Sequence, residues 1–253
     1  MKISIITVTF NCISVLKDCL NSVASQSYNK IEHIVIDGAS TDGTLSLLNS
    51  KKDQLATLVS ELDEGIYDAM NKGIKIAKGD IIGFLNSDDF YANNGVISKV
   101  VSEFKKEPSL DACYADLIYV NQSNTSKIVR YFKSSEFKQG LFSKGWCPPH
   151  PTFFVRRSVY ERYGNFDLNY RIASDVELMM RFLEIHKIKS RYIPEVWIKM
   201  RMGGTTNKNF KNIWAQNQEV LSSFNKNGLS VNRISFFIHK IFSRFKQFFI
   251  RKY

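Results

Sequence analysis

The sequence has no CxxC pair among its four cysteines, Cys12, Cys19, Cys113 and Cys147. A zinc knuckle and a disulfide framework are thereby disfavoured, and reduced, mostly buried thiols are expected. There is no uninterrupted apolar run of the roughly 18 residues that a bilayer-spanning helix needs. GxGxxG and GxxxxGKS/T are both missing, which disfavours dinucleotide and P-loop sites. The opening MKISIITVTFN lacks a small-residue cleavage site and alternates like a strand, so it is read as the first β-strand of a cytosolic protein. Acids are missing from residues 229–253, where six Lys or Arg lie; of the net charge of +11 this leaves +5 for the other 228 residues. The basicity belongs to the tail, and nucleic acid is not an expected partner.

What is present is an ordinary soluble composition, 44% apolar and 23% charged, in a length suited to one α/β domain or a domain with a small appendage. Up to about residue 120, short apolar runs alternate with stretches of helical period, the pattern of a parallel or mostly parallel sheet covered by helices. The expected strands are ISIITVT (residues 3–9), HIVI (33–36), TLVS (57–60) and IIGFL (81–85). Leu16, Cys19, Leu20 and Val23 recur at i, i+3, i+4 and i+7 and predict an amphipathic helix. Residues 66–80 predict another, with Gly79 as its C-terminal stop. Two further strands are expected over 113–120 and 128–132, joined by the polar turn NQSNTS, and helices over 175–186 and 209–224 flank the remaining loop-rich region.

In open α/β sheets, ligands collect at the carboxyl ends of the strands. Here the four strand ends carry TFN (9–11), DGASTDGT (37–44), ELDEG (61–65) and NSDD (86–89). Singly, each has a structural explanation in turns and helix caps. Jointly, they place acids and amides along one end of one sheet. A site this rich in carboxylates cannot hold phosphate directly, so the adjacent acids suggest a hard divalent cation, Mg²⁺ or Mn²⁺, bridging to a ligand's diphosphate.

The motifs TVTFN, DGASTDGT, DEGIYDAMNKGIKIAKGDIIGFLNSDD and GNFDLNYRIASDVELMMRF, in this order over residues 1–205, together resemble family 2 glycosyltransferases of GT-A fold. The similarity is closest to the bacterial O-antigen, capsule and exopolysaccharide branch. The resemblance implies a Rossmann-like mixed, mostly parallel sheet with helices on both faces, and transfer of a sugar from a nucleotide-diphosphate donor, UDP by preference, to an acceptor hydroxyl with inversion. It implies a nucleotide-sugar half over residues 1–120 and an acceptor half over 121–228. Thr7, Thr9 and Asn11 would border the nucleotide pocket, Asp37 would accept from the base, and Asp63 and Lys72 would line the nucleotide side. Asp88 and Asp89 would reach ribose and metal, with Asn86 standing where many members carry a third acid. Asp175 would be the general base, unless it is only a first-turn helix acid, with Glu177 a lesser partner. His150, in CPPHPTFF, is either a loop histidine or a contact to metal or diphosphate. In MRMGGTTN (200–207), the paired glycines suit a mobile loop, with Arg201 a phosphate partner. The QxxRW element of processive synthases is missing, so a single-addition enzyme is expected.

In the tail from residue 234, Phe237, Ile238, Ile241, Phe242, Phe245, Phe248 and Phe249 share one arc, beside Arg233, Lys240, Arg244 and Arg251, while Phe236 and Ile250 break the pattern. Residues 229–253 are thus expected as a basic amphipathic helix. It either packs on the domain or lies on an anionic inner leaflet, where a lipid-linked saccharide acceptor would await a peripheral enzyme. Two other functions share parts of this pattern: a sugar nucleotidyltransferase, and a non-catalytic, membrane-docking carbohydrate- or nucleotide-binding protein.

Overall fold

In ISIITVT the side chains alternate between two apolar faces, and the structure uses both. The computed structural model describes residues 1–203 and 210–247. Ile6 and Val8 of β1 (Ile3–Thr9) enter one core, and Ile3 and Ile5 the other. β2 (Ile31–Asp37) and β4 (Ile81–Phe84) divide their residues the same way. A strand buried on both faces reads as a continuous apolar run, which is what these segments show.

β1 pairs in parallel with β2 and β4, and β2 with β3 (Thr57–Ser60), so the order β3-β2-β1-β4 brings four successive carboxyl ends to one edge. The sheet continues through β8 (Phe154–Arg156), β6 (Ala112–Val120) and β9 (Ser190–Arg201) to the short β5 (Phe90–Tyr91), with β7 (Ile128–Phe132) on the side of β6. β8 is antiparallel to both β4 and β6, whereas β6 and β9 run parallel. Among the described residues, one mixed, nine-stranded sheet therefore runs through both the segment before residue 121 and the segment after it.

On one face, α1 (Ile13–Ala24) and α4 (Val96–Lys106) bury Leu16, Cys19, Leu20, Ile97 and Val100; α2 (Thr44–Ser50) adds Leu48. The other face is covered by α3 (Ile66–Ile76), α5 (Arg157–Tyr163), α6 (Ser174–Met180) and α7 (Phe210–Lys226). α6 continues into a π-helical turn, Arg181–Ile185, so the segment expected as one helix changes its winding midway. α3 stops at Ile76 rather than at Gly79, because the chain must already straighten to enter β4. Buried Glu32 accepts from Lys78 N at 2.7 Å, and Gly79 N donates to Ser4 Oγ at 2.8 Å, fixing that turn against β1. All four cysteines are free, with Cys19 and Cys113 fully buried. α8 (Arg233–Lys246) begins at Asn232, whose Oδ1 accepts from Ser235 N. The residues expected to complete the tail, 248–253, lie outside the described residues, as do 204–209 of the glycine-bearing loop.

Thr7 and His33 meet inside the α1-side core, Thr7 Oγ1 lying 3.0 Å from His33 Nε2. Burial holds the His33 imidazole down to about 4. The unfolded chain takes up this proton from about pH 6.5 downward while the native state refuses it, so stability falls as pH drops from about 6.5 to 4. The loss should approach 3 kcal/mol, an order-of-magnitude figure. Urea unfolding at pH 7 and pH 4 measures it, and His33→Gln should flatten that part of the pH dependence.

Candidate active site

The four strand ends are stitched together by side chains. Asp37, wholly buried at the end of β2, accepts from Thr9 Oγ1 (2.9 Å) on β1, from Ser40 Oγ (2.5 Å) and Ser40 N (3.0 Å), and from Ser60 Oγ (2.7 Å) at the end of β3. Burial alone would raise this carboxyl, but the hydrogen bonds from Ser40, Ser60 and Thr9 outweigh it and bring it below its ordinary range. Asn11, in the left-handed region at φ 46°, accepts from Thr41 N and donates its own N–H to Ser40 Oγ, both at 2.9 Å. Asp63 caps Gly65 N and leans over Gly38; a Cβ there would sit 2.5 Å from Asp63 Oδ2 and 3.4 Å from the Phe10 ring. Only glycine lets the DEG loop approach β2 this closely.

These positions revise several expected roles. Thr7 does not border a pocket; it faces α1, against His33 and Cys19. Asp37 has all four lone-pair directions taken by the scaffold, so it ties the strand ends together rather than presenting a spare acceptor to a base. Lys72 is turned onto its own loop, paired with Glu61 (3.0 Å) and Asp68 (3.2 Å) and donating to Leu62 O (2.7 Å).

The adjacent acids separate. The chain leaves β4, turns through NSDD with Asp89 N bonded to Asn86 O, and pairs at once as β5 with β9. Asp88 is half-buried, whereas Asp89 is enclosed, with Asn86 Nδ2 at 3.5 Å from its Oδ2. Burial, reinforced by the charge of Asp88, pushes the Asp89 carboxyl well up, against a smaller opposing effect of Arg201. Arg201, at the end of β9, is itself buried, donating to Asp88 O at 2.7 Å and ion-paired with Asp18 of α1. It braces the turn instead of facing a phosphate.

No cluster of three His, Cys, Asp or Glu that could hold a metal occurs among the described residues. The donors fit a smaller protein share of a coordination shell: Asn86 Oδ1 and Asp89 Oδ1 are both buried without a hydrogen-bond partner, beside Asp88. Hard oxygen donors of this kind suit Mg²⁺ or Mn²⁺ completed by water and phosphate oxygens.

From the later part of the chain, Asp175 stands in the first turn of α6. Its Oδ1 accepts from Val176 N at 2.9 Å and lies 3.0 Å from Tyr67 OH, whose single proton it shares with Ile172 O at 2.9 Å. Tyr67 lies on α3, directly after the DEG loop, so this hydrogen bond joins the helix beside the strand-end cluster to the acid of α6. Burial and the Asp175 charge both raise the Tyr67 phenol well above its ordinary value, so it remains a proton donor. Tyr67, Phe84 and His150 surround Phe166, with ring centroids 5.3 to 5.6 Å apart. His150 stacks on Phe84, its Nε2 buried without a partner. Burial lowers its imidazole more than the nearby Asp175 raises it, which keeps the ring neutral. Glu177 is not in the site: it is buried on the far side of α6, bridging Arg181 (3.0 Å) and Asn227 (3.3 Å).

Three contributors have no place in the sequence reading. Phe10 is 65% exposed at the end of β1, its ring against Gly38, where a nucleobase could stack. Tyr67 was legible only as an inward-facing helix position whose hydroxyl would need a partner. Glu219 of α7 accepts from the backbone N–H groups of Arg171 (3.1 Å), Ile172 (2.8 Å) and Ala173 (2.9 Å), fixing the loop that delivers Asp175. No local signal marks it, since its partners lie 46 to 48 residues away.

Solved structures share this fold. A mannosyltransferase from Pyrobaculum calidifontis, in complex with GDP-Man and Mn²⁺, aligns with a TM-score of 0.66 at 18% identity, over 96% of this chain and 69% of that one. Staphylococcus aureus TarS 1–349, in complex with UDP-GlcNAc, aligns with a TM-score of 0.65 at 16% identity, over 95% and 70%. The fold is the GT-A fold of nucleotide-sugar glycosyltransferases. Residues 4–164 match Glycosyl transferase family 2, and this chain belongs to that family. Among curated relatives, a PGL/p-HBAD biosynthesis glycosyltransferase of Mycobacterium bovis is 30% identical over 193 residues, 75% of this chain and 73% of the relative. Chondroitin synthase of Pasteurella multocida is 26% identical over 189 residues, 74% of this chain but 19% of that much longer protein.

The close approach at Gly38 generates a test. Gly38→Ala should displace the Asp63 carboxylate and weaken nucleotide-sugar binding by about tenfold while changing unfolding stability by less than about 1 kcal/mol. Calorimetric titration and urea unfolding on the same variant measure both.

Proposed function

We propose that this glycosyltransferase is an inverting, metal-dependent enzyme that moves a hexose from a UDP-sugar to a hydroxyl of a lipid-linked saccharide during bacterial surface-glycan assembly. O-antigen or capsule is the form expected from the motifs, and the relatives named for PGL/p-HBAD biosynthesis and chondroitin synthesis support a neighbouring range of glycolipid and polysaccharide products. UDP and UDP-GlcNAc in complexes of one structural neighbour support the donor class. The observation that carries the reading is the Tyr67–Asp175 hydrogen bond, because it sets one carboxylate of the acceptor half beside the strand-end cluster of the donor half.

In this mechanism, Asp175 accepts the proton of the acceptor hydroxyl as its oxygen attacks the anomeric carbon. The bond to the donor's diphosphate oxygen breaks on the opposite face, its electron pair leaving with the phosphate, and configuration inverts. Tyr67 OH and Val176 N share one carboxylate oxygen, which fixes its orientation and leaves the other for the substrate. Phe10 offers a stacking face to the base, and Asn11 and Asp63 line the pocket that Asp37 shapes. Asp88, with Asn86 and Asp89 behind it, would hold a Mn²⁺ or Mg²⁺ that neutralises the departing diphosphate. A nucleotidyltransferase would need a basic, glycine-rich loop after β1, but the chain from Asn11 to Val15 contains neither glycine nor Lys or Arg.

Asp175→Asn should lower kcat by about two to four orders of magnitude while leaving the Kd for UDP within about threefold of wild type. Asp88→Asn should instead weaken UDP binding and abolish its dependence on Mn²⁺, measured by titration with and without chelator. Wild-type turnover in Asp175→Asn would remove that residue as the base. Thermal shifts against UDP- and GDP-sugars identify the donor nucleotide, since a ligand at a hundredfold excess over its Kd stabilises by about 2.7 kcal/mol.

A further inference from the structure

α8 is seated by residues that the sequence pattern set aside. Phe236, the position that broke the apolar arc, is 1% exposed and packs on Phe224 of α7, with ring centroids 6.3 Å apart. One turn on, Lys240 lies over the Phe236 ring and donates to Asn217 Oδ1 of α7 at 2.6 Å. Its Cβ crowds Gly145, whose φ of +69° and missing side chain let the 142–145 turn pass under the helix. The opposite face points outward. Ile234, Ile238 and Ile241, at i, i+4 and i+7, are 73%, 61% and 68% exposed, and Phe242 and Phe245 extend this stripe at 60% and 61%.

Such a face needs an occupant, and the charges select one. Residues 229–253 carry six cations and no acid. A twofold pairing of two copies through this helix would bring the same basic segment against itself, which repulsion opposes. An anionic lipid surface satisfies both features, because isoleucine enters the headgroup boundary while the net positive charge of the segment draws it to lipid phosphates. Trp214, 66% exposed, lies one turn before Asn217 on α7 and is a residue type enriched at such boundaries.

We propose that the outward stripe of α8, Ile234, Ile238 and Ile241, docks the protein in the plane of an anionic phospholipid surface. The same α7 that seats α8 through Asn217 holds the loop before Asp175 through Glu219. Docking thereby fixes the acceptor half over the bilayer, where a lipid-anchored hydroxyl arrives. The docking itself is independent of catalysis; only its purpose rests on the transferase reading.

Flotation of the full chain with phosphatidylcholine vesicles, with and without phosphatidylglycerol, tests this. Wild type should bind the anionic vesicles at least about tenfold better than the neutral ones, and less well as salt rises. The combined Ile234→Ser, Ile238→Ser, Ile241→Ser variant should lose at least about tenfold of that binding, with its thermal unfolding and nucleotide-sugar affinity unchanged. Equal binding by variant and wild type would overturn the proposal. So would equal binding to neutral and anionic vesicles, or a vesicle-free dimer that the triple substitution dissolves. Vesicle binding without turnover on any nucleotide-sugar would leave docking standing and sink the transferase reading instead.

Discussion

A single buried carboxylate holds the donor side together. Asp37 takes hydrogen bonds from the ends of β1 and β3 and from the turn after its own strand, and a charge that deep is tolerable only when its acceptor directions are filled. Everything along that edge inherits its position from this staple. Asn11 is set by Ser40, the DEG loop closes on Gly38 next door, and Phe10 is left standing at the mouth.

The acceptor side is built as a relay of contacts between elements distant in sequence. Glu219 of α7 gathers three backbone N–H groups before α6, α6 presents Asp175, and Tyr67 of α3 receives it. Two residues before Glu219, Asn217 holds Lys240 of α8. One helix thus supports the candidate base on one side and the tail on the other, so loss of α7 packing would disturb both. The turn after β4 is braced in a comparable way, by an arginine from the end of β9 that reaches both Asp88 O and Asp18.

Several elements were legible before any coordinates. Ile3–Thr9 and Thr57–Ser60 have the expected bounds, because period-two alternation and β-branched residues are local properties. The helix built on Leu16, Cys19, Leu20 and Val23 buries those four residues, its face set by a spacing of three and four. Boundaries failed where distant groups decide them: α3 yields three residues before Gly79 because Glu32 and Ser4 claim the next amides. Among site residues, Asp88 and Asp89 look alike in sequence and differ completely in burial, since only packing against β9 and Arg201 distinguishes them.

The sequence by itself determined the strand ends at which polar residues gather, the family motifs that order them, and the cationic, acid-free character of the tail. These follow from residue type and local period, which no partner is needed to express. The tertiary structure alone decided that Lys72 and Arg201 brace loops, that Tyr67 meets Asp175 across 108 residues, and that Phe236, outside the apolar arc, is the residue of α8 most deeply seated on α7. Each of those depends on which surfaces come together when the sheet closes, and contacts between residues far apart in the chain leave no periodic trace in it.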